Sequence, residues 1–237
     1  MLDLSKQKLL VIAPHPDDEV IGCGGLIKKI KDARGKVYVL FLTVGDTQDF
    51  SKKGLSKASE RQKEIEKVAR FLKFDDYHVA FKGNNYHLKL DLLGQNELMH
   101  MIERESPVSL QKVKPTIVAL PSVNSYNQDH RVTAEATHAA LRPAPPDNKH
   151  SVETVLEYEE PADSWTLNPK IEPIFFVPLS KSQLDAKIKA LKLYKSQLRP
   201  HPNTRSSETL KALAILRGSM CGSLYGEGFK LYRGILK

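Results

Sequence analysis

Apolar positions in this chain follow two alternating rhythms through roughly its first 145 residues. Residues 8–14 (KLLVIAP) and 36–45 (KVYVLFLTVG) are nearly continuous apolar runs. The second is rich in β-branched and aromatic side chains, which suits strands buried on both faces. Between and after them the spacing changes to that of helices. Residues 19–35 read as a helix closed by Gly35, and residues 56–74 place Ile65, Val68, Ala69 and Leu72 on one face. The alternation continues with a strand at 77–81, a helix at 94–105, a strand at 115–122 and a helix at 129–142. Strands alternating with helices predict a mostly parallel sheet with helices on both faces, a three-layer α/β sandwich.

Right-handed crossovers bring the loops after the strands to one edge, where open α/β sheets bind ligands. Those loops are PHPDD (14–18), GDTQDFSKKGLSKAS (45–59) and SVNSYNQDH (122–130). The second half is less regular. A proline-rich loop at 142–150 precedes strand-like stretches at 154–160 and 173–179. A helix at 180–198 follows, with Ser180 or Ser182 as cap, then a helix at 208–220 and a last apolar stretch at 229–235. No repeat or linker divides the chain, so residues 1–237 form one domain with a core at about 1–145.

Composition changes this picture little. The chain has 41% hydrophobic and 27% charged residues, in the range of a globular domain. The net charge of +8 comes from lysines dispersed along helical segments such as IKKIKDARGK. They form wet helix faces and not a nucleic-acid patch, although anionic small molecules would feel the same field. No stretch approaches the ~18 apolar residues of a membrane span, and MLDLSKQK lacks a secretory pattern. Cys23 and Cys221 form no CxxC pair or disulfide framework and read as small buried residues. The expectation is a reduced, cytoplasmic setting, with room left for a homo-oligomer.

Two clusters at the predicted rim carry chemistry. In the first, His15 and Asp18 are three residues apart at a helix start, which puts imidazole and carboxylate on one side. Both are zinc-binding groups, and Asp17 between them is free to bond a metal-bound water. Acids in a first helical turn also suit the helix dipole and caps. In the second cluster, Asn127, Asp129 and His130 open another helix, where Asn127 or Asp129 can serve as the cap. A catalytic zinc takes three protein ligands and keeps one position open. His15, Asp18 and His130 make that number and leave Asp17 as base. The glycines Gly22, Gly24 and Gly25 could suggest a dinucleotide loop, but six residues separate His15 from Gly22. Close packing of the first helix on the sheet explains them better.

The stretch PHPDDEVIGCGG resembles the signature of the PIG-L/LmbE-like zinc-dependent de-N-acetylases, and NQDHRV resembles that family's second motif. RPHPNTRSSETLKALAILRG and YGEGFKLYR resemble the carboxy-terminal blocks of its bacterial members from sugar and natural-product pathways. The resemblance implies a Rossmann-like sheet, His15, Asp18 and His130 as ligands of zinc (or another divalent metal such as Fe2+), and Asp17 as general base. It implies hydrolysis of an acetamide on a small-molecule amino sugar, of N-acetylglucosamine type or a conjugate of it. In that mechanism a zinc-activated water attacks the carbonyl, Asp17 takes its proton, and an acid protonates the leaving amine. Arg61 matches a substrate-binding arginine of relatives. Many relatives read HPDH in the second motif, where this chain has Asn127, and an amide cannot transfer a proton. Asn127 is then left to bind substrate, and His201 in RPHPNTRSS is the candidate to supply the proton unless Asp17 returns it. Asp129 is expected to orient an imidazole, and Tyr86 and His87 are further candidates to line the sugar pocket. Two other readings are a metal-dependent amidase for another small amide and a non-catalytic sugar- or metal-binding relative. A base beside the metal argues against the second.

Overall fold

The computed structural model describes residues 3–48, 54–145, 147–168 and 172–236. Residues 49–53 of the predicted second rim loop lie outside them. The strands are β1 Lys8–Ala13, β2 Lys36–Val44, β3 Thr47–Gln48, β4 Leu55–Ser56, β5 Asp76–Lys82, β6 Ile117–Leu120, β7 Thr154–Tyr158, β8 Phe175–Leu179 and β9 Tyr225–Gly234. Seven form one sheet in the order β5-β2-β1-β6-β7-β9-β8, while β3 and β4 pair separately. The first five strands of that order run parallel. β9 is antiparallel to both β7 and β8, so the mostly parallel sheet expected from the alternation is present.

The helices are α1 Asp18–Asp32, α2 Ala58–Leu72, α3 Gln95–His100, α4 Leu110–Val113, α5 Gln128–Ala140, α6 Lys181–Leu193 and α7 Ser207–Met220. Along β1 the side chains alternate between two cores. Leu9, Val11 and Ala13 pack with α1, α2, α6 and α7, while Leu10 and Ile12 pack with α3, α4 and α5. That period of two is why the β1 sequence is apolar at every position rather than every second one. Ser180 caps α6 in a reciprocal box with Gln183. None of the helices among the described residues is long and apolar enough to cross a membrane.

Four local features depart from what the sequence predicts. The helix expected at 94–105 becomes α3 followed by a wider π turn at Met101–Glu105. The left-handed residue that ends α1 is Arg34 (φ 68°) and not Gly35. Cys221 is only half-buried, whereas Cys23 is fully enclosed. Helix α1 also breaks at Cys23 (φ −143°, ψ 25°). It is thereby divided into a short segment that carries the acids and a longer one packed on α6. Gly22 sits at that break, where a Cβ would lie 2.3 Å from the Tyr158 ring. The helix can lie this close to β7 only because the position has no side chain.

Candidate active site

The order β2-β1-β6 sets the site. From β1 the chain crosses one way to β2 and later the other way to β6, so a crevice opens beyond the carboxyl ends of β1 and β6. His15–Asp18 follow β1 and Asn127–His130 follow β6, and the two clusters meet there.

One ligand atom each from His15, Asp18 and His130 lies within 4.8 Å of the others, and all three residues are buried. Asp18 Oδ2 is 3.4 Å from both His15 Nδ1 and His130 Nε2 and accepts the His15 backbone N–H at 2.8 Å. The other ring nitrogen of His15, Nε2, lies 2.9 Å from Asp129 Oδ2. Asp129 in turn accepts the Leu90 N–H through Oδ1 at 2.9 Å. With Nε2 on Asp129, Nδ1 is the nitrogen that faces Asp18, and it is the one a cation would take in place of a proton. Burial alone would lower the His15 pKa, but its hydrogen bonds to Asp129 and Asp18 raise it to about 9. The negative field that favours a proton there also favours a metal cation. Burial opposes charge on Asp18, yet His130 and His15 hold its carboxyl well below the usual range.

These residues fit a metal. Asp18 Oδ1 and both ring nitrogens of His130 are buried without a hydrogen-bond partner. Buried polar atoms normally have partners, and an ion here would take up Asp18 and one ring nitrogen of His130. Two imidazoles and one carboxylate also make a zinc donor set.

Asp17 stands beside this group, fully enclosed. Its φ of 113° is a strained conformation for a residue with a Cβ. It is held by its N–H, which donates to Glu19 Oε2 at 3.1 Å, and by its carbonyl, which accepts from Val20 and Ile21. Glu19 is fixed from its other oxygen by Tyr194 Oη at 2.7 Å. Neither Asp17 carboxylate oxygen has a hydrogen-bond partner. Burial raises its pKa to about 6, opposed mainly by Arg205, whose Nε is 3.5 Å from Oδ2.

The remaining expected residues are placed differently from one another. Asn127 caps α5, its side chain accepting the Asp129 N–H at 3.0 Å. Arg61 is buried beside the carboxyl end of β2, 2% exposed, where its charge bears on Asp17, and its Nη1 donates to Gly45 O and His87 Nε2. That bond requires a neutral His87, since an arginine nitrogen can only donate. Burial and the Arg61 charge lower the His87 pKa to about 3. Tyr86 packs against Phe81 in the core. His201 is exposed on its loop, and the side chain of that loop which faces Asp17 is Arg205. Sequence reasoning passed over Arg205, and also over Glu160 and Asp163 just beyond β7. Glu160 Oε1 and Asp163 Oδ2 are buried without partners. Burial and the nearby Asp18 raise the Glu160 pKa well above the usual range. The available signal was the acidic run EYEEPADS, which begins in β7 and continues past that parallel strand's carboxyl end.

Comparison with known proteins bears on the family and the fold. Residues 10–141 match the model of the PIG-L family, described as GlcNAc-PI de-N-acetylase. Diacetylchitobiose deacetylase of Thermococcus kodakarensis is 29% identical over 247 residues, spanning 97% of this chain and 84% of that protein. A conserved protein of Thermus thermophilus superposes with a TM-score of 0.72 at 25% identity, covering 100% of this chain and 97% of its own. The N,N'-diacetylchitobiose deacetylase of Pyrococcus horikoshii gives 0.70 at 25% identity, covering 96% and 84%.

Proposed function

The chain belongs to the PIG-L family of de-N-acetylases, and on that premise we propose that it is a metal-dependent hydrolase of N-acetylglucosamine-type sugars or glycoconjugates. One observation carries the reading. A buried His-Asp-His donor set lies beside a carboxylate, Asp17, whose two oxygens accept no hydrogen bond. His15, Asp18 and His130 would hold the metal, and zinc suits their chemistry. When bound, the metal supplies Lewis-acid charge that polarises an acetamide carbonyl and makes water more acidic.

The chain's own residues do the rest. Asp17 takes the proton of the attacking water, and burial holds its carboxyl near neutral proton affinity, where a base works well. Arg205 steadies the Asp17 anion from one side. Asn127 spends its side-chain oxygen on capping α5, which leaves its NH2 as a donor to substrate and no proton to transfer. With His201 exposed, the same Asp17 carboxyl returns its proton to the departing amine nitrogen.

The test is acetate release from free, oligomeric and nucleotide-linked N-acetylhexosamines by zinc-supplemented protein. Release from at least one of them is expected, and none from any would overturn the reading. Asp129 offers a separate check on the metal. Its two oxygens join the His15 ring to the Leu90 backbone, so Asp129→Ala should weaken divalent-metal affinity about 10–100-fold. Competition against a chelating dye measures this, and unchanged affinity would remove Asp129 from the metal's support.

A further inference from the structure

Asp17 is held from a part of the chain far from its own. Tyr194 follows the last residue of α6 and is fully enclosed. Its Oη donates to Glu19 Oε1 at 2.7 Å, across 175 positions, and Glu19 Oε2 accepts the Asp17 N–H at 3.1 Å. Three residues on, buried Gln197 accepts Arg205 Nη1 at 3.0 Å, and Arg205 Nε lies 3.5 Å from Asp17 Oδ2. The Gln197 N–H donates to the Tyr194 carbonyl at 3.0 Å, which closes these residues into one turn. That turn therefore reaches Asp17 twice, through Glu19 to its backbone and through Arg205 to its carboxylate.

The turn is itself fixed. Ser196, between the two residues, donates its N–H and Oγ to the Glu64 carboxylate on α2 at 3.0 and 2.6 Å. Asp17 needs such a hold because its φ of 113° is strained, and strained residues persist only where their surroundings over-determine them. Its carbonyl makes the first bonds of α1, with Val20 and Ile21, as any helix start does. The bond from its N–H to Glu19 is the added constraint. A Glu19 carboxyl released by Tyr194 has other rotamers open to it, and the buried Asp17 N–H then loses a fixed acceptor.

We propose that Tyr194 and Gln197 are positioning residues for the base, the turn after α6 aiming Asp17 at the water it deprotonates. Both are buried, so neither meets substrate, and each acts through a neighbour of Asp17: Tyr194 through Glu19 and Gln197 through Arg205. The carboxy-terminal third of the chain thereby completes a site whose reacting groups all lie in the first 130 residues. The inference rests on the deacetylase reading, in which Asp17 is the base, but its test is separable from it.

Tyr194→Phe removes one hydroxyl and keeps the ring in the core. Its kcat for acetate release should fall about 10–100-fold, with KM changed about twofold or less, because the substrate's own contacts remain. Added to Asp17→Asn, the same change should cost no more than about twofold further, since the base it aims is gone. A merely structural tyrosine would lower both backgrounds alike. Hydrogen exchange gives a readout independent of activity. In Tyr194→Phe the Asp17 amide should exchange about tenfold faster while the β1 amides keep the parent rate. Gln197→Ala should lower kcat in the same way but leave the Asp17 amide unchanged, because its arm reaches only the carboxylate. The proposal is overturned by equal losses in the two backgrounds, by an Asp17 amide that ignores Tyr194→Phe, or by both single variants within twofold of the parent kcat. An amide that responds as expected in a protein that releases no acetate would uphold the hold on Asp17 and sink the deacetylase reading instead.

Discussion

Replacing Asp17 by Asn is expected to slow acetate release about 10²–10⁴-fold, the usual contribution of a positioned general base, while the folded protein keeps its metal. The substitution is close to isosteric, and neither Asp17 oxygen has a hydrogen bond to lose. The backbone contacts that hold the strained residue, with Glu19, Val20 and Ile21, do not involve its side chain. The proposed metal donors are His15, Asp18 and His130, so stoichiometry should not change. What disappears is the ability to accept a proton, since an amide oxygen at neutral pH takes none. Initial rates of acetate release, set beside metal content and a circular-dichroism melt, separate these outcomes. A variant within tenfold of the parent rate would remove Asp17 from the base role. Loss of metal in the same variant would make it a ligand instead.

Replacing Glu227 by Ala should destabilise the fold by about 3–5 kcal/mol, the range for breaking a buried ion pair from one side. Glu227, on β9, is 4% exposed. Its carboxylate accepts the N–H groups of Gly25 and Leu26 at 2.8 and 2.7 Å, and Lys187 Nζ at 2.7 Å. The break at Cys23 is the reason those amides are available. It interrupts the helix just before them, so the second segment of α1 has a new amino end, which a carboxylate from another strand caps. Gly25 permits the approach, since a Cβ there would fall 2.4 Å from Leu179. Without Glu227, two amides and the Lys187 ammonium are left buried and unpaired. Domains of this kind have about 5–15 kcal/mol in total, so the urea midpoint should fall steeply. Adding Lys187→Met should recover part of the loss, because the orphaned charge goes too. A single variant within about 1 kcal/mol of the parent would show that the pair is not structural.

The architecture was readable because it depends on local spacing. The unbroken apolar runs at β1 and β2 meant burial on both faces, and the helical spacing of Ile65, Val68 and Leu72 put them in the core. From strand alternation and handed crossovers it followed that the loops after β1 and β6 share an edge. His15 and Asp129 do meet there, although 114 positions apart. Asp129 as the partner of an imidazole was legible from residue type alone. Gly22 and its neighbours, read as close-packing glycines, lie against Tyr158 and Leu179 as that reading requires.

Other features were not readable, for a common reason. Periodicity tells which face of an element is buried, but not which distant side chain fills the space opposite. Arg61 was expected to reach out from the rim, and it is buried there with its guanidinium on Gly45 and His87. The loop around residue 201 was singled out for His201, which is exposed on it. Which of its side chains turns inward depends on how that loop is anchored, and Arg205, held by Gln197 at 3.0 Å, is the one that faces Asp17. The caps and orphans of the interior, Glu227 on α1 and Glu160 near Asp18, look from the sequence like ordinary surface acids. They are distinguished only by burial.

Residue chemistry and spacing were thus enough to specify a parallel α/β sheet, two acid-histidine clusters and the edge where they converge. Folding alone decided which ring nitrogen of His15 faces Asp18, and that Asp17 is strained, enclosed and without a hydrogen bond beside Arg205. Those properties belong to pairs of groups far apart in the chain. Their energies come from desolvation and geometry at the point of contact, and neither exists until the chain has closed around them.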